Sequence, residues 1–323
     1  NIHTVPEQSI PNGDFPTVAS ANPEEPAAFK MALDLARKID ADLAMACDPD
    51  GDRIGIAVKN DAGEWTLLNG NQTNIIFTEY IIRRKKELNQ LKGGEYTVKT
   101  IVTTELIKDI AEKNHIICYD VYTGFKWIAD IIRKEGGEKF IGGGEESFGY
   151  MPGAFTRDKD GVSATSLMAE IAAWVKMQNK TLYSFLKEIY AKYGFSQERM
   201  IYIVRKGLSG AQEIKAMMEE FRHNTPKEIN HSPVVLKKDY LSLEATNLQT
   251  GEKTHLDFET KSDVLQFFLA DGSKISVRPS GTEPKIKFYF EARTQMKDIN
   301  DYERAQQEAN ARIDAIIEYL KIQ

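Results

Sequence analysis

Between about residues 65 and 193, short apolar runs alternate with segments of helical periodicity, and this rhythm limits the architecture more than any other feature of the chain. Strand-like runs stand at "WTLLNG", "TVKTIVTT" (97–104), "IICYDV" and "KFIGG". Helices are expected at 72–88, 105–114, from about 123, at 162–178 and at 181–192. Helices of that length between strands are crossover connections, so a largely parallel sheet is expected. Upstream, "AAFKMALDLARKID" (27–40) carries apolar residues at helical spacing and leads into two short strands, "ADLAMAC" and "RIGIAV". After Gly194 the rhythm changes. A strand at 199–207, a helix at 209–222, strands separated by polar turns to 291 and a last helix at about 298–320 read as an α+β unit of their own. Boundaries are expected near residues 62 and 195.

The two upstream strands flank "CDPDGDR", which sets Asp48, Asp50 and Asp52 at alternate positions. Three carboxylates this close repel one another unless a cation or a set of donors offsets them. Two readings stand on these residues alone: a solvated acidic turn, with Asp-Pro and Asp-Gly as turn chemistry, or a loop that holds a divalent metal. Either way the loop lies at a strand's carboxyl end, where α/β folds place their sites.

Two further stretches carry chemistry. "FIGGGEESFGYMPG" (140–153) leaves a strand through glycines that permit close backbone approach. Within it Glu145 and Ser147, two apart, are spaced to face one way and hydrogen-bond vicinal hydroxyls; the plain alternative is a Gly-rich turn with solvated glutamates. "KISVRPSGTEPKIKFYFEAR" (274–293) joins two alternating strands by Arg-Pro-Ser-Gly-Thr. A guanidinium, two hydroxyls and exposed amides suit a phosphate dianion, and Arg278, Lys285 and Lys287 favour that over a simple polar hairpin. "RDKDGVS" (157–163) is no EF-hand, because position 12 counted from Asp158 is Ala169 rather than Glu.

Composition narrows the classes. The 323 residues suffice for two or three domains, and the net charge of −6 argues against nucleic acid as a partner. No apolar stretch approaches the length of a membrane span, and the opening residues lack a basic-then-apolar signal. The chain begins with Asn, so it is expected to be part of a longer one. Cys47 and Cys118 lie in apolar runs and are expected to be buried thiols of a reducing, cytoplasmic compartment. The five histidines show no metal-ligand spacing, which argues against zinc chemistry and a Cys/His nucleophile.

Taken together, a carboxylate loop, a hydroxyl-reading loop and a phosphate clip point to a phosphosugar and metal-assisted phosphoryl transfer. The set resembles the α-D-phosphohexomutase superfamily, the phosphoglucomutases and phosphomannomutases, over essentially the whole chain. "DPDGDR" is similar to the family's metal loop, which implies Asp48, Asp50 and Asp52 as Mg²⁺ ligands with Arg53 beside them as a catalytic residue. "GEESFG" is similar to its sugar loop, which implies Glu145 and Ser147 on substrate hydroxyls. "RPSGTEPK" is similar to its phosphate loop, which implies Arg278, Ser280, Gly281, Thr282 and Lys285 on the non-reacting phosphate. "TGFKW" (123–127) and "RDKDG" resemble accessory loops, implying Thr123, Gly124 and Arg157 as substrate contacts and Lys126 and Lys159 as phosphate or proton-transfer partners. "GYMPGAFTRDKDGVSA" resembles the phosphoglucomutase-2-like branch. The implied fold class is α/β, with mixed βαβ-type sheets in a partial domain 2 (1–62) and domain 3 (63–195). A separate α+β domain 4 (196–323) follows.

The resemblance also implies a catalytic phosphoserine in a loop of the type Thr-Ala-Ser-His-Asn-Pro, with glucose 1,6-bisphosphate as intermediate and activator. This chain has no such loop. "ASANPEEP" (19–26) lacks the histidine and fits the family's "NPEE" segment, so Ser20 is assigned no catalytic role and the chain alone is expected to be inactive. The expected function is that of the carboxy-terminal part of a hexose phosphate mutase. A pentose phosphate mutase or sugar-bisphosphate synthase of the same family is the alternative. A non-catalytic phosphosugar-binding protein is the rival from another class, and the aspartate loop argues against it, since binding alone needs no metal at the reacting end.

Overall fold

Strands and helices alternate through the first half of the chain in a computed structural model, which describes residues 1–205, 207–281 and 283–322, backbone only at 207 and 208. The chain forms two compact units, Asn1–Tyr193 and Gly194–Gln323.

In the first unit, helix α1 (Lys30–Lys38) packs against an antiparallel sheet of β1 (Ala44–Cys47), β2 (Ile54–Lys59) and β3 (Trp65–Leu68). Phe29, Leu33, Ala36, Ala44 and Ala57 form its core. Next comes α2 (Gly70–Glu87), which starts at a capping box: Asn69 accepts from the Gln72 amide and the Gln72 side chain accepts from the Asn69 amide. A second sheet has the order β5-β4-β6-β7, from β4 (Tyr96–Thr100), β5 (Ile117–Val121), β6 (Phe140–Gly144) and β7 (Tyr150–Met151). The crossovers are α3 (Leu106–Lys113) and α4 (Phe125–Glu135), and β4 pairs parallel with both β5 and β6. Only β7 joins antiparallel. Tyr96, Val98, Val121, Phe125, Ile128, Ile132, Phe140 and Met151 make one core. The unit closes with α5 (Gly161–Lys176) and α6 (Leu182–Tyr193).

The second unit is built on an antiparallel sheet of order β12-β11-β10-β13-β14-β15-β8, with β9 paired to β10. Its strands are β8 (Phe195–Val204), β9 (Glu228–Ile229), β10 (Ser232–Asp239), β11 (Glu244–Asn247), β12 (Lys253–His255), β13 (Leu265–Leu269), β14 (Lys274–Pro279) and β15 (Lys285–Thr294). Helix α7 (Gly207–His223) packs on β14 and β15, its Phe221 ring lying 6.0 Å from Phe288. Helix α8 (Tyr302–Tyr319) packs on β15 and β8 through Ala305, Ala309, Ile313 and Ile316.

Five expectations need correction. The "WTLLNG" strand, expected in the largely parallel sheet, is β3 and pairs antiparallel with β2 in the first sheet. The strand expected at 97–104 ends at Thr100. There the Thr100 and Thr103 hydroxyls meet at 2.8 Å and the Lys99 ammonium gathers both carbonyls at 3.4 Å, so the chain turns. Strand β8 starts at Phe195 rather than 199 because it pairs with β15 along its whole length, its polar Ser196 bonding to Glu291. The last helix starts at Tyr302, after a 3-10 turn at Ile299–Asp301 that Asp298 caps. Finally, Cys47 is exposed rather than buried. It ends edge strand β1 at the mouth of the aspartate loop, its sulfur 3.6 Å from Thr165 Oγ1. Cys118 is half-buried, and burial pushes its thiol well up.

Candidate functional site

The six residues 48–53 connect β1 to β2, whose last facing pair is Cys47 and Ile54. Gly51 has a φ of +68°, a conformation that favours glycine, and its amide closes the turn on the Asp48 carbonyl at 3.0 Å. Asp48 Oδ1 accepts from the amides of Asp52 and Arg53, each at 3.0 Å, which fixes the loop from within. One carboxylate oxygen from each of Asp48, Asp50 and Asp52 lies within 4.8 Å of the others. Asp52 Oδ2 is 2.7 Å from the Lys159 ammonium, whereas Oδ1 is buried and has no hydrogen-bond donor among the described residues. A buried carboxylate oxygen without a donor is costly. An all-oxygen set with one such oxygen fits a hard divalent cation such as Mg²⁺.

Backbone contacts bring two more loops to this one. The Ile54 amide donates to the Phe148 carbonyl at 3.0 Å, and Arg53 forms a β-bridge with Gly149. The Gly161 amide, at the start of α5, donates to the Gly51 carbonyl at 3.0 Å. A Cβ on Gly161 would stand 2.6 Å from that oxygen, so the close approach needs glycine. Asp160 caps α5 through the Val162 and Ser163 amides, which places Lys159 over the site. Burial opposes the Lys159 charge, yet Asp52 and the nearby Asp158 and Glu145 hold its ammonium above the ordinary lysine range.

Glu145 and Ser147 do face one way, with Ser147 Oγ 3.3 Å from Glu145 Oε2. Glu145 Oε1 accepts from the Gly124 amide, so the "TGFKW" turn is joined to the loop of Glu145 and Ser147. Glu145 is buried, and burial together with the neighbouring Glu146 raises its carboxyl above the usual range. The first unit thus brings together Asp48, Asp50, Asp52, Arg53, Gly124, Glu145, Ser147 and Lys159. Among the described residues, three expected ones make no hydrogen bond or ion pair with this group. Lys126 is exposed, its ammonium 4.9 Å from the Trp127 ring centroid. Arg157 is exposed and donates to the carbonyls of Ala154 and Thr156 in its own loop. Thr123 is half-buried beside Gly124. Ser20 donates to Glu25 at 3.0 Å.

Sequence reasoning missed Glu24 and Asn74. Glu24 accepts from Arg53 at 3.2 Å, and Asn74 on α2 donates to the Glu145 carbonyl at 2.7 Å. The first lies within "NPEE" and could have been found there. Asn74 carries no such signal, because it ends the polar run Asn71-Gln72-Thr73-Asn74 at the start of α2.

In the second unit Arg278 and Lys287 are facing partners on β14 and β15. Like charges directly opposite are unfavourable in a sheet, and the nearby Glu283 carboxylate offsets part of the charge on Lys287. The Ser280 amide donates to the Lys285 carbonyl at 2.8 Å and closes the loop, and Ser280 Oγ accepts from the Glu283 amide at 3.3 Å. Lys285 pairs with Glu283 and lies 5.6 Å from the Tyr202 ring centroid. Gly281 is exposed, and Thr282 lies outside the described residues. A cavity of about 190 Å³ opens between this loop and α7, lined by Lys215, Asp263, Ser280, Glu283 and Lys285 among others.

Three family models match the chain. Residues 1–63 match "Phosphoglucomutase/phosphomannomutase, alpha/beta/alpha domain II", 69–193 match alpha/beta/alpha domain III, and 213–314 match the C-terminal domain. A phosphoglucomutase of Staphylococcus aureus strain MRSA252 is 36% identical over 313 residues, covering 97% of this chain and 55% of the relative. Another, from strain USA300, is 37% identical over 289 residues, 89% of this chain and 51% of the relative. The chain therefore spans about half the length of these curated relatives. The fold is similar to that of pp63/parafusin from Paramecium, at a TM-score of 0.61 and 18% identity, over 90% of this chain and 49% of that one. A phosphoglucomutase/phosphomannomutase family protein of Burkholderia thailandensis gives a TM-score of 0.54 at 16% identity, over 90% of this chain and 52% of its own. The chain belongs to the phosphoglucomutase/phosphomannomutase family.

Proposed function

We propose that this chain is the carboxy-terminal part of a magnesium-dependent hexose phosphate mutase, divided into domains near residues 62 and 195. The observation that carries the reading is the convergence of three carboxylates in a loop where Asp52 has a buried oxygen with no donor among the described residues, docked by backbone bonds to the loop of Glu145 and Ser147. Asp48, Asp50 and Asp52 would hold Mg²⁺. Bound there, the ion offsets negative charge on a transferring phosphoryl group.

The protein's own residues do the rest. Glu145 and Ser147 take substrate hydroxyls, and the Thr123–Gly124 turn and Arg157 line the sugar's path. Lys159 and Lys126 contact phosphate or move a proton, and Arg53 tempers the charge of the aspartate loop. In the second unit Arg278, Ser280, Gly281, Thr282 and Lys285 grip the phosphate that does not react. The nucleophilic phosphoserine and the glucose 1,6-bisphosphate intermediate belong to the whole mutase; no serine of this chain is assigned that role. Among the described residues no helix is long and apolar enough to cross a membrane.

Titration calorimetry with Mg²⁺ tests the metal assignment. One ion binds the parent, and Asp50→Asn, which removes one of three charges, weakens it. A coupled assay with glucose 1-phosphate, primed with glucose 1,6-bisphosphate, gives no turnover with the chain alone. Absence of Mg²⁺ binding overturns the metal site, and turnover well above background overturns the assignment of the nucleophile.

A further inference from the structure

Glu146 stands between the two residues assigned to the sugar, yet its side chain goes elsewhere. Its Oε2 lies 3.1 Å from Thr103 Oγ1 and 3.3 Å from Thr100 Oγ1, and its amide donates to Thr103 Oγ1 at 3.3 Å. Both threonines are fully buried, and their hydroxyls are 2.8 Å apart. Each hydroxyl has a single proton. In either order one threonine donates to the other, which donates to Glu146 Oε2, and Thr103 accepts the Glu146 amide. The Glu146 side chain then serves as an acceptor, seated on the turn that follows β4.

That turn is itself held firmly. Lys99 is completely buried, with its ammonium 2.8 Å from Asp120, 3.1 Å from Glu105 and 3.4 Å from the carbonyls of Thr100 and Thr103. The Thr104 amide donates to Asn71 on α2 at 3.0 Å. From the other side, the Glu145 carbonyl accepts from Asn74 and the Glu145 amide donates to the Gly149 carbonyl at 3.0 Å. A Cβ on Gly70 would lie 2.0 Å from the Glu146 carbonyl oxygen, so the start of α2 abuts the loop backbone directly.

We propose that Glu146 is a positioning residue: seated on Thr100 and Thr103, it fixes the backbone between Glu145 and Ser147 so that their polar groups are presented together to a phosphosugar. This rests on the function proposed above for Glu145 and Ser147. Glu146 itself touches no substrate. An amide oxygen accepts from a hydroxyl as a carboxylate does, so Glu146→Gln keeps the seat, whereas Glu146→Ala and Thr103→Val empty it.

The test uses the 323-residue chain with two readouts, hydrogen exchange at the amides of 144–149 and calorimetric affinity for glucose 6-phosphate in Mg²⁺. Exchange at these amides should rise roughly tenfold in Glu146→Ala and Thr103→Val, and affinity should fall roughly fivefold, as for the loss of one or two hydrogen bonds. Glu146→Gln restores both, and Mg²⁺ affinity stays at the parent level throughout. Parent-like exchange in Glu146→Ala, or Glu146→Gln as damaged as Glu146→Ala, overturns the proposal. If the parent binds no glucose 6-phosphate, the assignment of Glu145 and Ser147 fails, while the exchange readout still decides the seat. Should Thr103→Val not fold, the two Glu146 variants decide alone.

Discussion

Replacing Lys159 with Met should tighten metal binding. The substitution removes an ammonium 2.7 Å from Asp52 Oδ2 and keeps an unbranched stem, which here lies close over Gly149. Lys159 opposes a divalent ion by adding positive charge beside the loop and by drawing on the Asp52 carboxylate through Oδ2. The pair is 23% and 24% exposed, so it is neither a free surface pair nor a dry one. Surface pairs contribute up to about 1 kcal/mol and hydrogen bonds between charged groups about 1.5–3 kcal/mol; a value near 1 kcal/mol suits this partly screened site. At about 1.4 kcal/mol per decade, that corresponds to roughly fivefold tighter binding. The effect should grow at low salt, where screening is weaker. Calorimetric titration of Mg²⁺ into parent and variant measures it directly. Unchanged affinity would refute the competition, and weaker affinity would mean that Lys159 orders the loop instead.

Two further predictions concern buried charge. Burial and Glu146 raise the Glu145 carboxyl above the ordinary range, so the folded state holds this proton longer than the unfolded one. Stability contributed here is present at low pH and is lost as pH rises from about 4.3 through the raised value. Glu145→Gln lacks that loss, so its melting temperature should gain on the parent's as pH rises from about 4.3; a constant gap would contradict the sign. Lys99→Met leaves Asp120 and Glu105 facing each other without their cation. Removing one partner of a buried pair costs about 3–5 kcal/mol, and the carboxylates' partial exposure favours the lower end. The first unit should therefore melt about 6–12 °C lower, and a shift under about 2 °C would refute the role of the pair.

Much of this arrangement is legible in the sequence because it is local. The alternation of apolar strands and amphipathic helices predicts a largely parallel sheet, which β4, β5 and β6 form, but not that "WTLLNG" pairs with β2 instead. Asp48, Asp50 and Asp52 converge because a hairpin connection with a glycine in a positive-φ turn leaves them little choice. Glu145 and Ser147 meet because they are two apart. What the sequence hides are contacts between distant segments. The seat of Glu146 on Thr103 joins residues 43 apart, and Asn74 reaches Glu145 across 71. Neither leaves a periodicity to read. The apolar look of "TVKTIVTT" also conceals a turn, since the buried Lys99 there is matched by carboxylates from two other segments. Cys47 misleads for a related reason: its run is apolar, but β1 is an edge strand and the residue sits at its open end.

Phosphosugar binding by the chain itself tests the central claim most directly. Glucose 6-phosphate titrated calorimetrically into the parent with Mg²⁺ should bind weakly, at about millimolar concentration. Arg278, facing Lys287 across the ladder, supplies charged hydrogen bonds to the phosphate, each contributing about 1.5–3 kcal/mol. Arg278→Ala should therefore weaken binding at least roughly tenfold. A parent that binds no hexose phosphate, or an Arg278→Ala variant that binds it as well as the parent, would contradict the account.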